Sequence, residues 1–317
     1  MDLRISLQKL EVLTQVIRSG GVGRAAEALF VAQPVVTAHV RTLEERLGAK
    51  LFYREGRQIH PTEAGLAVYE WAEDVLTRTR ELDRYLGGLA DGQQGTVALG
   101  ASMSVGSYLL PPTLAAYRQG HPKAELRLSI SDTEHIIDDA RRGLLDFALI
   151  VSAPGLEMPG LDVEQIGEDK IVLVASPAGE PEADSISLDE LARLPFVEAP
   201  EGIVRRSFID KQLSELGIVD RNVVLELGHP EAMKAAVLGG SGVSLLFKSA
   251  VQQEIDEGSL RSIDVESLAM GLPIYLIHRK GKSFSPLQRG LIEAVKRHLA
   301  EQSSEPAVTG NAGALES

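Results

Sequence analysis

Between residues 68 and 89 the chain repeats small and apolar side chains at a fixed interval, and that run divides everything around it. Val68, Ala72, Val75, Thr79, Leu82, Leu86 and Leu89 are spaced 4-3-4-3-4-3. Such a seam is narrower than the stripe of an ordinary surface helix, and its natural partner is another copy of itself. The spacing therefore predicts one long dimerisation helix, starting at Thr62 and Glu63, with its linker part over residues 66–90. It separates a short head, residues 1–65, from a body at 91–302 and a tail at 303–317 that reads as disordered.

The head carries three short helical patterns. Leu7, Leu10, Leu13 and Ile17 recur at helical spacing and stop at Ser19, Gly20 and Gly21. Val22, Ala25, Ala26 and Leu29 form the second pattern. The third begins at Gln33 and Pro34, where proline suits a first turn because its missing N–H would be unpaired anyway. Its apolar residues Val36, Val40, Leu43 and Leu47 face one way, and Gly48 stops it. Two extended runs, 51–54 and 58–61, then flank a turn at Glu55, Gly56 and Arg57, which reads as a hairpin wing.

Two small residues at a helix crossing, a tight turn and a second helix with a short-chained outer face suit a winged helix-turn-helix lying in a major groove. Ala25 and Ala26 supply the crossing. Pro34, Ala38 and Arg41 face outward, flanked by Gln33, Thr37 and His39. Gln33 suits adenine, Thr37 a base or phosphate, and Arg41, Lys50 and Arg54 phosphates. Arg57 at the wing tip suits a narrow minor groove. Periodicity alone leaves a purely structural three-helix bundle equally open. Charge is divided accordingly: the whole chain carries −13, yet residues 1–65 hold nine Lys and Arg against seven Asp and Glu, leaving −15 for the rest. A mildly basic head on an acidic body suits a protein that touches DNA at one end.

The order and spacing of RAAEAL, AQPVVT, LEERLGAKLFYREGR and TEAG closely resemble the N-terminus of LysR-type transcription regulators over roughly the first 65 residues. The resemblance implies that residues matching Gln33, Pro34 and Thr37 lie at bases or phosphates, and that Arg54 and Arg57 serve the wing. It also implies that the long helix makes a homodimer, with two dimers forming a homotetramer, and that RNA polymerase is a further partner. Three positions depart from the family pattern. Gly21 stands where a serine commonly caps the second helix, Ala32 replaces a common serine before Gln33, and His39 replaces a longer polar side chain.

In the body, short apolar runs alternate with amphipathic helices. Strands are expected at 96–100, 126–130, 147–151, 171–175, 223–227, 243–247 and 274–278. Helices are expected near 109–119, 133–142, 204–216, 230–239 and 285–298. That rhythm predicts a mostly parallel sheet covered by helices, an α/β body behind an all-α head. The family resemblance continues more weakly over 95–300, on GASMSVGSYLLP, ELRLSISDTEHIIDDARRGLLDFALI and LGHPEAMKAAVLGGSGVSLLFKSAV. It implies a periplasmic-binding-protein-like effector domain of two subdomains, about 95–167 with 269–300 and about 168–268. The chain would cross between them near Gly167 and again near 265–273.

Ligands in such sheets sit beyond the carboxyl ends of parallel strands, where helix N-termini favour anions. The effector-site candidates are therefore Ser102, Met103, Ser104, Thr133, Gly202, Ile203, Val204 and Arg205, with His135 and His229 ranked last. The alternatives are helix caps for Ser102 and Thr133, solvated helix-start charges for Arg205 and Arg206, and a cap or surface residue for His229. The Arg205–Arg206 pair resembles the branch that regulates carbon fixation and sulfur metabolism. Leu246, Phe247, Lys248 and Ser249 stand where many members have an apolar run ended by proline.

The chain has no cysteine, which removes thiolate metal sites, disulfides and Cys nucleophiles. No nucleophile elbow, phosphate-binding loop or paired-histidine metal helix occurs, so neither catalysis, a resident cofactor nor a metal is expected. No export signal or membrane span is read at the start or elsewhere, which predicts a cytoplasmic protein and argues against a transport receptor on the same body. The expected partners are double-stranded promoter DNA, a small anionic effector and the chain itself.

Overall fold

The computed structural model describes residues 5–56, 58–87 and 94–304. Its contacts separate into two units, one built on the chain up to residue 87 with 142–144, the other on the remainder.

The first unit contains α1 (Leu7–Arg18), α2 (Val22–Ala28), α3 (Gln33–Leu47), an antiparallel hairpin of β1 (Phe52–Glu55) and β2 (Gln58–Pro61), and α4 (Glu63–Gly87). Apolar residues at helical spacing give it two small cores. Val12, Val16, Ala25, Ala26, Val36 and Val40 close the first, where the alanines let α2 approach its neighbours. Leu10, Leu13, Leu43, Leu51, Ala72 and Leu76 close the second and fasten α4 to α1 and α3. The hairpin begins one residue later than its sequence suggests. Leu51 is fully buried, its N–H donates to Glu44 Oε1 at 2.9 Å, and its carbonyl accepts from the Thr62 N–H. A Cβ on Gly65 would stand 2.0 Å from that carbonyl, so α4 can start against the wing only through glycine.

Part of the 4-3-4 seam points the wrong way for dimerisation. Ala72 is buried in the unit's own core, and Val68 and Val75 pack against it, because α4 needs that face to hold the head. Thr79 is exposed with its hydroxyl donating to the Val75 carbonyl, while Leu82 and Leu86 are each 55% exposed. Leu89 lies outside the described residues.

The second unit contains β3 (Gln94–Ser102), a π-helical turn (Val105–Leu109), α5 (Leu110–Gly120), β4 (Lys123–Ser131), α6 (Thr133–Arg141), β5 (Phe147–Val151) and β6 (Leu161–Ala175). These are followed by β7 (Ser185–Ile186), α7 (Leu188–Leu191), β8 (Pro195–Glu198), α8 (Val204–Glu215), β9 (Asn222–Glu226) and α9 (Pro230–Leu238). The chain then forms β10 (Ser244–Phe247), α10 (Lys248–Asp256), β11 (Arg261–Val265), β12 (Met270–Arg279) and α11 (Pro286–Ser304). Strand order is β4-β3-β5-β12-β6-β11-β7, with β10 on β6 and a separate β8-β9 pair tied to Val243 beside β10.

The sheet is mixed rather than mostly parallel. β3 pairs parallel with β4 and β5, but β12 runs antiparallel to both β5 and β6, and β10 and β11 run antiparallel to β6. The reason is the pair of long central strands: β6 runs out along the sheet and β12 returns antiparallel beside it over its whole length. Their register shifts beside Gly167, where Gly167 faces Ile274 and Gln165 faces Tyr275. Residues 161–165 of β6 thus run beside the part of β12 that also pairs β5, and residues 171–175 beside β10 and β11. At the ends, β3 begins at Gln94, two residues before the expected strand. Helix α11 extends through residues 303–304, where the tail was expected, while 91–93 and 305–317 lie outside the described residues.

Candidate nucleic-acid interface and effector cleft

Helix α3 presents two distinct faces. Val36 and Leu43 are fully buried and Val40 nearly so, while Gln33, Pro34, Thr37, Ala38 and Arg41 are all exposed and together line one shallow concavity. His39 beside them is half-buried. Proline sits in the first turn, Gly48 ends the helix in a left-handed conformation (φ 70°), and neither Gly21 before α2 nor Ala32 before α3 supplies a side-chain cap. At the start of α3 Pro34 carries no N–H and the Val35 N–H bonds the Ala32 carbonyl at 2.9 Å, so this end is closed by backbone without a side-chain cap.

The basic side chains around that face are held lightly. Arg41 pairs with Glu45 at 2.9 Å and Lys50 with Glu44 at 2.8 Å, yet Arg41 and Lys50 are 78% and 81% exposed. Exposed pairs of this kind contribute at most about 1 kcal/mol, so a phosphate can replace either carboxylate. Glu44 itself is structural. Burial opposes its ionisation, but bonds from Lys50 and the Leu51 and Phe52 N–H groups outweigh that and hold its carboxyl below the usual range. Arg54 is exposed on β1, and Arg57 lies outside the described residues.

In the second unit the expected effector residues split. Met103, Gly202, Ile203 and Val204 are exposed, and Thr133 is half-buried. Ser102 and Ser104 are buried, and Ser102 Oγ accepts from the Val151 N–H at 3.0 Å, so this hydroxyl fastens β3 to β5. Arg205 departs most from its expected role. It is 6% exposed, donates to the Leu245 carbonyl, and lies 3.3 Å from Met233 Sδ. Burial lowers its pKa, with the Glu198 charge opposing. Arg206 bonds Asp210 and the Ala199 carbonyl, and Arg221 pairs with buried Glu198 at 2.9 Å. The arginine pair is thus part of an interior charge network, not a solvated helix start. His229 caps α9 by accepting from the Glu231 N–H, and exposed His135 donates its backbone N–H to Asp132.

The sequence reading missed a cavity of about 870 Å³ within this unit, on the side of α5, α10 and α11. Tyr108, Asp169, Lys234, Lys248, Ser249 and Glu254 are among its lining residues. Tyr108 donates to Glu231 at 2.6 Å, and Lys234 reaches Glu231 and Glu254 at 2.9 and 2.6 Å with its ammonium 5.3 Å above the Tyr108 ring. Burial, then the bond to Glu231, pushes the Tyr108 phenol well up. Asp169 on β6 accepts from both the Ser249 hydroxyl and N–H, capping α10, and burial pushes its carboxyl up to about 6. Only the run of Lys248 and Ser249, where proline was expected, hinted at this site.

Known proteins bear on both units. The description "Bacterial regulatory helix-turn-helix protein, lysR family" matches residues 7–66, and "LysR substrate binding domain" matches residues 90–300. The chain belongs to the LysR family of transcription regulators. Relatives of this regulator include a probable RuBisCO transcriptional regulator of Thalassiosira pseudonana, 31% identical over 87% of this chain and 92% of the relative. One of Cyanophora paradoxa is 31% identical over 96% and 95%. Among solved structures, a full-length OxyR variant from Pseudomonas aeruginosa superposes with a TM-score of 0.67 at 21% identity, covering 93% of this chain and 95% of that one. Full-length CbnR complexed with its target DNA gives 0.62 at 22% identity, covering 92% and 99%. The LysR-type chain thus has a helix-turn-helix domain of a DNA-binding class and a substrate-binding domain. Among its described residues, no helix is long and apolar enough to cross a membrane.

Proposed function

We propose that this LysR-type regulator reads double-stranded promoter DNA with Gln33, Pro34, Thr37 and Ala38, grips phosphates with Arg41, Lys50 and Arg54, and uses Arg57 in a narrow minor groove. The observation that carries the reading is the two-faced α3, with a buried apolar stripe behind five exposed residues on one concavity. Two chains pair through the outer side of α4, where Leu82 and Leu86 are exposed, and two such pairs form a tetramer. The protein works in the cytoplasm, where RNA polymerase is its further partner.

The same reading makes a small anionic metabolite the effector, bound at the strand ends near Met103, Thr133 and Gly202–Val204. Its support is the exposed Met103 directly after β3 and the exposed start of α8 at Gly202–Val204, a helix N-terminus of the kind that favours an anion. The effector shifts the angle between subdomains only by the difference in its affinity for the two arrangements. Footprinting on the DNA beside the regulator's own gene, with carboxylate and phosphorylated metabolites added, tests both halves. Protection of one site, altered by one of those anions, is the expected result. No preference for promoter over random duplex overturns the DNA reading. Protection altered only by neutral or cationic metabolites overturns the anionic effector.

A further inference from the structure

Each of the first three helices ends by turning a residue into the left-handed region, but the residues chosen differ. After α1 the residue is Gly20 (φ 62°), whose N–H bonds the Ile17 carbonyl while Gly21 N–H bonds Val16. After α3 it is Gly48 (φ 70°), whose N–H bonds Glu44. After α2 it is Phe30 (φ 55°), in the same arrangement as α1: Phe30 N–H bonds Glu27 and Val31 N–H bonds Ala26. This closing motif favours glycine because a Cβ is strained there. Phenylalanine gains nothing in return from the fold, since Phe30 is 96% exposed.

A strained, fully exposed aromatic residue points to a use outside the folded chain. Its location says which. Phe30 shares a concavity with Glu27, Ala32 and Gln33, and Gln33 also lines the adjoining concavity with Pro34, Thr37, Ala38 and Arg41. Val31 and Val35 beside it are also exposed, at 40% and 42%. The apolar patch is therefore continuous with the face assigned to the major groove. Glu27 disfavours a phosphate at this point, which leaves a base edge as the surface an aromatic ring can cover. The apolar group displayed in the major groove is the thymine C5-methyl.

We infer that Phe30 is a base-reading residue whose ring covers a thymine methyl at the edge of each half-site. This rests on α3 lying in the major groove, as proposed above. The test uses the full chain and the footprinted fragment from its own promoter, with each protected thymine replaced in turn by deoxyuridine, which lacks the methyl. Phe30→Ala and Phe30→Gly weaken binding about five- to tenfold, the scale of one lost base contact. One deoxyuridine position weakens the parent protein similarly and leaves the variants unaffected. Phe30→Gly also raises the unfolding midpoint by about 2–4 °C, since it removes the strain. Opposite signs on stability and affinity are not expected of a residue serving the fold alone.

Unchanged affinity in both variants overturns the inference, and so does equal weakening at every thymine with no deoxyuridine-sensitive position. Loss of transcription with intact DNA binding assigns the ring to a protein partner and overturns it as well. If the parent protein itself prefers no promoter, the groove reading fails; if it does and the variants match it, only the role of Phe30 fails.

Discussion

The proposed DNA surface of the head and the expected effector residues of the second unit were read from the same kind of signal, polar residues on or beside a helix, yet the structure treats them differently. In the head, Gln33, Thr37, Arg41 and Lys50 stay exposed, and their intramolecular bonds are local or solvated. In the second unit, Ser102 and Arg205 are buried and committed to backbone groups of other strands. A helix start at a strand end inside the body has neighbours on nearly every side. A polar side chain there is as useful for fastening strands as for meeting a ligand, and only burial separates the two uses.

The sharpest way to break that contrast is Arg205→Met. Removing the guanidinium leaves the Leu245 carbonyl buried without its donor and takes one cation from the surroundings of Glu198. The expected loss is roughly 4 kcal/mol in the unfolding of the second unit, read by calorimetry. An unchanged transition with a lost metabolite response would restore Arg205 to the effector site.

Asp169 gives the next largest effect. Burial raises its carboxyl to about 6 in the fold, above its ordinary value of 3.8, so the native state holds its proton more tightly. The stabilisation is fully present below about pH 4 and is lost as pH rises through 6. At about 1.4 kcal/mol per pKa unit this amounts to about 3 kcal/mol. Asp169→Asn should flatten that part of the pH–stability curve, measured by denaturant titration from pH 4 to 7. A slope that survives the substitution would assign it to another group.

These two residues also show where sequence reading stops. α3 and β5 were legible because their signals are local: proline and glycine at the two ends of Gln33–Leu47, and an apolar run at Phe147–Val151. Helix α10 was not, because no turn residue separates it from β10 and its cap is Asp169, 80 positions earlier. The first half of β6 falls in none of the expected strands, since only the return of β12 makes it one. Ala72 fits a dimer seam by spacing, and only the docking of α1 reveals that its face is already used. The buried role of Arg205 is likewise set by Leu245 and Met233, residues far along the chain.

On the exposed side of the comparison, Arg41→Ala should leave the melting temperature within about 1 °C, because its pair with Glu45 is solvated. Binding to promoter fragments should weaken, and the slope of log affinity against log salt should fall by about 1. Fluorescence anisotropy across a salt series reads both. A large drop in stability would mean the head is as internally committed as the second unit.

The smallest effect concerns the start of α2. Gly21 is extended (φ 164°) and leaves the helix without a side-chain cap, and a Cβ there would come no nearer than 4.0 Å to the Arg24 guanidinium. Gly21→Ser therefore fits, and its hydroxyl can accept from an N–H of the first turn. Glycine is itself tolerated at this position, so the gain is only a few tenths of a kcal/mol from the new bond, with a similar contribution from reduced chain entropy in the unfolded state. Because residue 21 lies at the opposite end of α2 from Phe30, DNA affinity should not change. A stabilised Gly21→Ser with unaltered affinity, set beside a stabilised but weaker-binding Phe30→Gly, would show that the head tolerates better helix ends wherever DNA is not the reason for the poorer one.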